Sequence, residues 1–134
     1  MSKVEPEKCE ALTIPMCKGL KYNQTIFPNL LNHTNQDYAA LEIHQFWPLI
    51  EIKCSPHLKL FICSVYAPIC TPSITVIPPC RSLCQSAKNG CENITKQYGY
   101  VWPTRLSCEL FPQKNNGQIC IDVEKKQSTL RTTK

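Results

Sequence analysis

Ten cysteines in 134 residues constrain this chain more than any other feature. That density belongs to small folds held by covalent cross-links. The number is even, so complete pairing into five disulfides is the simplest account. A zinc site is a poor alternative, because no Cys-x-x-Cys occurs and His33, His44 and His57 are dispersed. Ten cysteines pair in about 945 ways, and spacing by itself selects none of them. Disulfides persist in oxidising compartments, which points to the cell exterior. Three glycosylation sequons agree: Asn23-Gln24-Thr25, Asn32-His33-Thr34 and Asn93-Ile94-Thr95. The chain starts Met1-Ser2-Lys3 without an apolar leader, so we expect a domain excised from a longer exported protein.

One stretch places three sulfurs on a single helical face. From Cys80 to Cys84 an α-helix turns by about 400°, and to Cys91 by about 1100°, so all three fall within roughly 40° of one another. Ile94 and Tyr98 share that stripe, with Leu83 and Ala87 at its edge. Pro79 suits the entry to a helix, and Gly99 is a plausible stop after Tyr98. Gly90 weakens the helix by about 1 kcal/mol relative to Ala, so we expect tertiary bonds to hold it.

The rest of the chain reads as one domain. Residues 1–8 are polar and expected to fray. Leu12 and Ile14 alternate as in a short strand ended by Pro15. Residues 18–33 read as an exposed loop carrying two sequons. Thr34-Asn35-Gln36-Asp37 resembles a capping box opening a helix through Trp47, which Pro48 should end or kink. Phe46, Trp47 and Pro48 at that irregularity are either core or the wall of a surface groove. A buried helix runs from His57 to Ala67, before Pro68. Ile74, Val76 and Ile77 lie in a loop and form either an edge strand or a contact patch. Asn116-Gly117 marks a tight turn, and 122–134 is a linker.

Catalytic signatures are missing: no Gly-x-Ser-x-Gly, His-Glu-x-x-His or phosphate loop occurs. The net charge is +5, but Lys125, Lys126, Arg131 and Lys134 belong to the tail, and no basic stripe with aromatics appears. Nucleic acid is therefore not an expected partner. No apolar run approaches the roughly 20 residues needed to span a bilayer. A binding module, not an enzyme, is the expectation.

The segments between the cysteines resemble the cysteine-rich domain of Frizzled receptors. The resemblance rests on Ile14-Pro15-Met16-Cys17, Tyr22-Asn23-Gln24-Thr25, Pro28-Asn29-Leu30-Leu31 and His33-Thr34-Asn35-Gln36. It continues through His44-Gln45-Phe46-Trp47-Pro48-Leu49, Cys54-Ser55-Pro56, Cys63 to Cys70, Ile77 to Cys84, Trp102-Pro103 and Cys108. It implies a mainly α domain with a minor short β element over residues 9–121. It implies the pairs Cys9–Cys70, Cys17–Cys63, Cys54–Cys91, Cys80–Cys120 and Cys84–Cys108. Frizzled domains bind acylated Wnt proteins, whose fatty chain lies in an apolar groove.

Carried over by position, that groove comprises Gln45, Phe46, Pro48 and Ile52, facing Ile94, Thr95, Tyr98 and Tyr100, with Ile121 near one end. Leu60, Ile74, Val76 and Ile77 are candidates for a second contact, with a protein loop of the ligand. Thr95 is polar where relatives usually carry an apolar side chain. The Asn93 sequon borders the groove, yet Asn93 lies about 220° from Cys80, so its sugar should point away. The resemblance implies a receptor domain on the outer side of the plasma membrane, with the membrane spans outside this chain. Expected partners are acylated Wnt, free fatty acid and a second copy meeting through the groove. No cofactor is expected beyond the ligand's acyl chain. Rival readings are a secreted Frizzled-related decoy, a non-catalytic module of a larger extracellular protein, and a lipid or sterol carrier. The residues after Lys134 would separate the first two from a receptor.

Overall fold

A computed structural model describes residues 9–72, 76–97, 99, 101–114 and 117–123. The expected extension 1–8, most of the linker, Ile74, Tyr98, Tyr100 and Asn116 lie outside the described residues. The order of elements is β1 (Cys9–Ala11), β2 (Gln24–Ile26), α1 (Gln36–Ile43), α2 (Trp47–Glu51), α3 (Leu58–Tyr66) and α4 (Arg81–Gln97), with 3-10 turns between. No described helix is long and apolar enough to cross a membrane.

β1 and β2 pair antiparallel, with Cys9 opposite Ile26 and Ala11 opposite Gln24. The expected strand at Leu12 and Ile14 is displaced. Both side chains are buried as the alternation requires, but the ladder stops at Ala11. The next free donor, the Thr13 N–H, goes instead to the Gln36 side chain at 2.8 Å. β2 falls inside the stretch read as a loop. It is held from both sides, because Thr25 also bridges to Ile69 and its hydroxyl donates to the Pro68 carbonyl at 2.7 Å. Those partners are far away in sequence, so nothing local in Gln24-Thr25-Ile26 announces a strand.

Asn35, not Thr34, caps α1: its Oδ1 accepts the Tyr38 N–H at 3.0 Å. The helix tightens into a 3-10 turn over His44–Phe46, and α2 begins at Trp47 with Pro48 in its first turn. Pro48 therefore opens the second helix instead of ending the first. Its missing N–H and bulky ring forbid an α-helical bond back to His44, and a first-turn position is where that costs least.

α3 is the central helix, with Phe61 to Tyr66 buried without a break. Phe61 stacks on Trp102 at 5.9 Å and meets Phe111 edge-on at 5.5 Å. Tyr22 ties the first loop to this helix, its hydroxyl donating to the Ala67 carbonyl at 2.6 Å. Burial raises its pKa well above the usual tyrosine range. A polar network closes one side. Glu42 accepts from Arg105 at 2.8 Å and meets His33 at 2.9 Å, while Arg105 donates to the Tyr66 hydroxyl at 3.2 Å. The Asn29 amide donates to the Tyr66 carbonyl at 2.9 Å.

α4 starts where Cys80 offers its carbonyl to the Cys84 N–H, and Gly99 stops the chain beyond it at φ +80°. Its buried face is Leu83, Cys84, Ala87, Cys91 and Thr95, so the stripe ends on Thr95 and leaves Ile94 half-buried. Gly90 is a close approach and not only a weak point: a Cβ there would lie 2.7 Å from Ser55 Cβ and 2.8 Å from the Cys54 carbonyl oxygen.

Five disulfides close: Cys9–Cys70, Cys17–Cys63, Cys54–Cys91, Cys80–Cys120 and Cys84–Cys108. These are the pairs the resemblance implies, and α4 or its cap feeds three of them. They nest. Cys17–Cys63 lies within the loop of Cys9–Cys70, Cys84–Cys108 lies within that of Cys80–Cys120, and Cys54–Cys91 links the two halves. The sequence separations run from 24 to 61 residues. A chain-entropy treatment gives each bridge about 3.5–4.3 kcal/mol, so loop length hardly ranks them.

Candidate functional site

A cleft of about 90 Å³ opens between the α1–α2 kink and the end of α4. Gln45, Phe46 and Leu49 form one wall, Thr95 the other, and the returning segment Val101, Trp102 and Pro103 closes it. The 3-10 turn explains the first wall. It sets Phe46 inward against Tyr66, at 6.1 Å between rings, while Leu49 follows one turn later on α2. None of the lining side chains ionises in the physiological range.

Two polar groups of the cleft, the Thr95 hydroxyl and the Trp102 indole N–H, are turned into the protein. Thr95 is only 3% exposed, and its hydroxyl donates to the Glu92 carbonyl of its own helix at 2.8 Å. An apolar ligand therefore strands no donor there, which removes the difficulty of a polar residue at this position. The Trp102 indole N–H donates to the Leu106 carbonyl at 2.8 Å, leaving its ring as apolar wall.

Of the residues expected in a groove, Gln45, Phe46 and Thr95 come together. Pro48 is exposed in α2 and Ile52, 51% exposed, caps its C-terminus; neither is part of the lining. Ile94 is half-buried and not part of the lining. Ile121 does not belong at this end. It pairs with Pro79 and exchanges backbone bonds with Cys80 and Pro78 at the start of α4, roughly 22 Å along the helix from Thr95. The Cys80–Cys120 bridge fixes it there. Leu60, Val76 and Ile77 are half-buried, and Val76 and Ile77 form no strand.

Sequence reasoning missed Leu49, Val101, Trp102 and Pro103 as lining residues. The signal for three of them was present: an apolar run directly after the glycine that stops α4 has to fold back against that helix.

The Fz domain family matches residues 9–115. The chain belongs to this family. Frizzled-1 of Xenopus laevis is 52% identical over 113 residues, covering 84% of this chain and 20% of that protein. The chain thus spans about a fifth of that relative's length. Among solved structures, the Smoothened cysteine-rich domain (selenomethionine-labelled) matches the Fz domain with a TM-score of 0.57 and 28% identity, over 79% of this chain and 93% of that one. The Xenopus Smoothened cysteine-rich domain in complex with cyclopamine matches with a TM-score of 0.50 and 29% identity, over 78% and 94%. The fold is therefore the helix-rich, five-disulfide, Frizzled-type cysteine-rich domain.

Proposed function

We propose that this Fz domain is the extracellular ligand-binding domain of a Frizzled-type receptor, and that it grips the fatty chain of acylated Wnt in the cleft between Phe46 and Thr95. The observation that carries this reading is a mainly apolar cleft whose Thr95 hydroxyl and Trp102 indole N–H are already bonded within the protein, with the exposed Gln45 amide as its remaining polar side chain. The likeness to Frizzled-1 supports the choice of ligand. The solved complex of a Smoothened domain with cyclopamine supports a ligand-binding role for the fold. A cleft of this size holds only about three waters' worth of volume at ~30 Å³ each. Most of an acyl chain would therefore lie along the exposed apolar rim of Pro48, Ile52 and Val101. A dozen methylenes at ~0.8 kcal/mol each would contribute on the order of 10 kcal/mol before the cost of association. Binding, not catalysis, is the role, and the cell surface is its place.

The test is binding of an acylated Wnt to the purified domain, beside the same Wnt with its acylated serine replaced. Loss of most affinity without the acyl chain, and competition by a free unsaturated fatty acid, are expected. Equal binding of both forms would refute the groove reading.

A further inference from the structure

A second cavity, of about 510 Å³, lies apart from the groove. Leu30, Leu31, Val65 and Leu110 supply apolar lining, and Arg81, Arg105 and Glu109 supply charge. Two of its apolar residues stand in the open, Leu110 at 65% exposure and Leu30 at 36%. Arg81 uses its Nε and one Nη to reach the Phe111 and Glu109 carbonyls, leaving further guanidinium N–H donors for a ligand. Exposed leucines beside free donors call for a cover that is apolar on one face and rich in hydroxyls on the other.

The chain carries the attachment point for such a cover. Leu30 and Leu31 are the corner of a turn closed by the Asn32 N–H on the Asn29 carbonyl at 3.0 Å. Asn29 Oδ1 further fixes that turn by accepting the N–H groups of Leu31 and His33. Asn32 itself is exposed in the left-handed region at φ +66°, which asparagine tolerates better than most residues. Thr34, the other half of its sequon, is also exposed. On the other side His33 turns inward to Glu42, which holds Arg105 of the cavity wall. Asn32 thus follows directly on two residues of the cavity wall, Leu30 and Leu31, and precedes one, His33, that reaches the wall through Glu42. The other sequons do not share this placement. Asn93 projects from the outer face of α4, between buried Cys91 and Thr95, and Asn23 leads into β2.

We propose that Asn32 carries an N-linked glycan whose first sugars lie over Leu30 and Leu110, with their hydroxyls accepting from Arg81. The glycan is the built-in cover of this cavity, and it closes that face to self-association. This rests on the extracellular reading above. The test uses the whole chain secreted from animal cells, with glycopeptide mass spectrometry and hydrogen exchange. Asn32 should be occupied. Asn32→Gln and Thr34→Ala should both speed exchange of the Leu110 and Phe111 amides several-fold and raise binding of an apolar dye. Agreement between the two separates glycan loss from damage to the turn, and Asn93→Gln should change neither readout. A secreted protein modified at Asn23 or Asn93 but bare at Asn32 would overturn the proposal alone. So would unchanged exchange and dye binding in both glycan-less variants. A chain modified at no sequon would overturn the extracellular reading with it.

Discussion

Replacing Gly90 by alanine sets two effects of opposite sign against each other. In a free helix the change is worth about 1 kcal/mol of stability. In this fold the new methyl would lie 2.7 Å from Ser55 Cβ and 2.8 Å from the Cys54 carbonyl oxygen. Neither neighbour yields cheaply. Cys54 is bridged to Cys91, the residue after the glycine. Ser55 is buried, its hydroxyl donating to the Ser86 carbonyl at 3.3 Å and accepting the His57 N–H at 3.1 Å. Overpacking of this kind costs about 1–3 kcal/mol, and losing one of the Ser55 bonds costs about 1 more. The net expectation for Gly90→Ala is a loss of about 1–3 kcal/mol, or a fall in Tm on the order of 4–12 °C for a domain of this size. Thermal unfolding followed by circular dichroism under non-reducing conditions reads it directly. Gly99 is the control. Its φ is +80° and a Cβ there meets nothing within 4 Å, so Gly99→Ala should cost only about 1–2 kcal/mol of backbone strain. An unchanged or higher Tm for Gly90→Ala would refute the close-approach argument.

Three further outcomes are expected. Val101 is 84% exposed at the groove's edge, so Val101→Asp should weaken acylated-ligand binding at least about tenfold with Tm unchanged, whereas Phe46→Ala should lower both; a Val101→Asp protein that binds normally would remove this residue from the contact. Glu42→Gln takes the charge from the carboxylate that Arg105 and His33 share, and because the group is only partly buried the loss should be about 1–2 kcal/mol in urea unfolding; no loss would make the network ornamental. Burial raises the pKa of Tyr22, and also of Tyr66, where Arg105 opposes the shift. A folded pKa above the unfolded one means stability is intact below about pH 10 and falls as pH rises past it. Spectrophotometric titrations of the protein and of its Tyr22→Phe and Tyr66→Phe variants should therefore differ only in the phenolate signal appearing above about pH 10, and a signal lost at or below that pH would contradict this.

What could be read from the chain and what could not divide along a physical line. The buried stripe of α4 follows from helical spacing among Leu83, Cys84, Ala87 and Cys91, residues that need no knowledge of the rest of the molecule. The end of α3 before Pro68 and the stop at Gly99 are likewise local. Thr25 is different: it looks like half a sequon in a polar loop, and only Glu10 on one side and Ile69 on the other make it a strand residue. Gly90 reads locally as a defect because the reason for it, Ser55, lies on another segment. The same holds at the site. Phe46 beside a helix irregularity can be suspected, but the place of Ile121, beside Pro79 at the start of α4, cannot be read locally. Its position depends on the Cys80–Cys120 bridge, and cysteine spacing alone leaves every pairing open.

The nesting of the disulfides has a mechanical consequence. If tension is applied between the two ends of the chain, it enters at Cys9, crosses to Cys70, runs along residues 71–79, and leaves through Cys80 and Cys120. Residues 10–69 and 81–119 hang from that line as closed loops. Cys54–Cys91 joins the two loops in parallel with this line, so residues 55–69 and 81–90 form the longer path that draws tight second, whereas Gln45, Phe46, Leu49 and Thr95 of the groove lie off both covalent paths. Under a pull between its ends the covalent line is no longer than this short connector, about 35 Å at full extension, so the disulfides limit how far the domain can be drawn out.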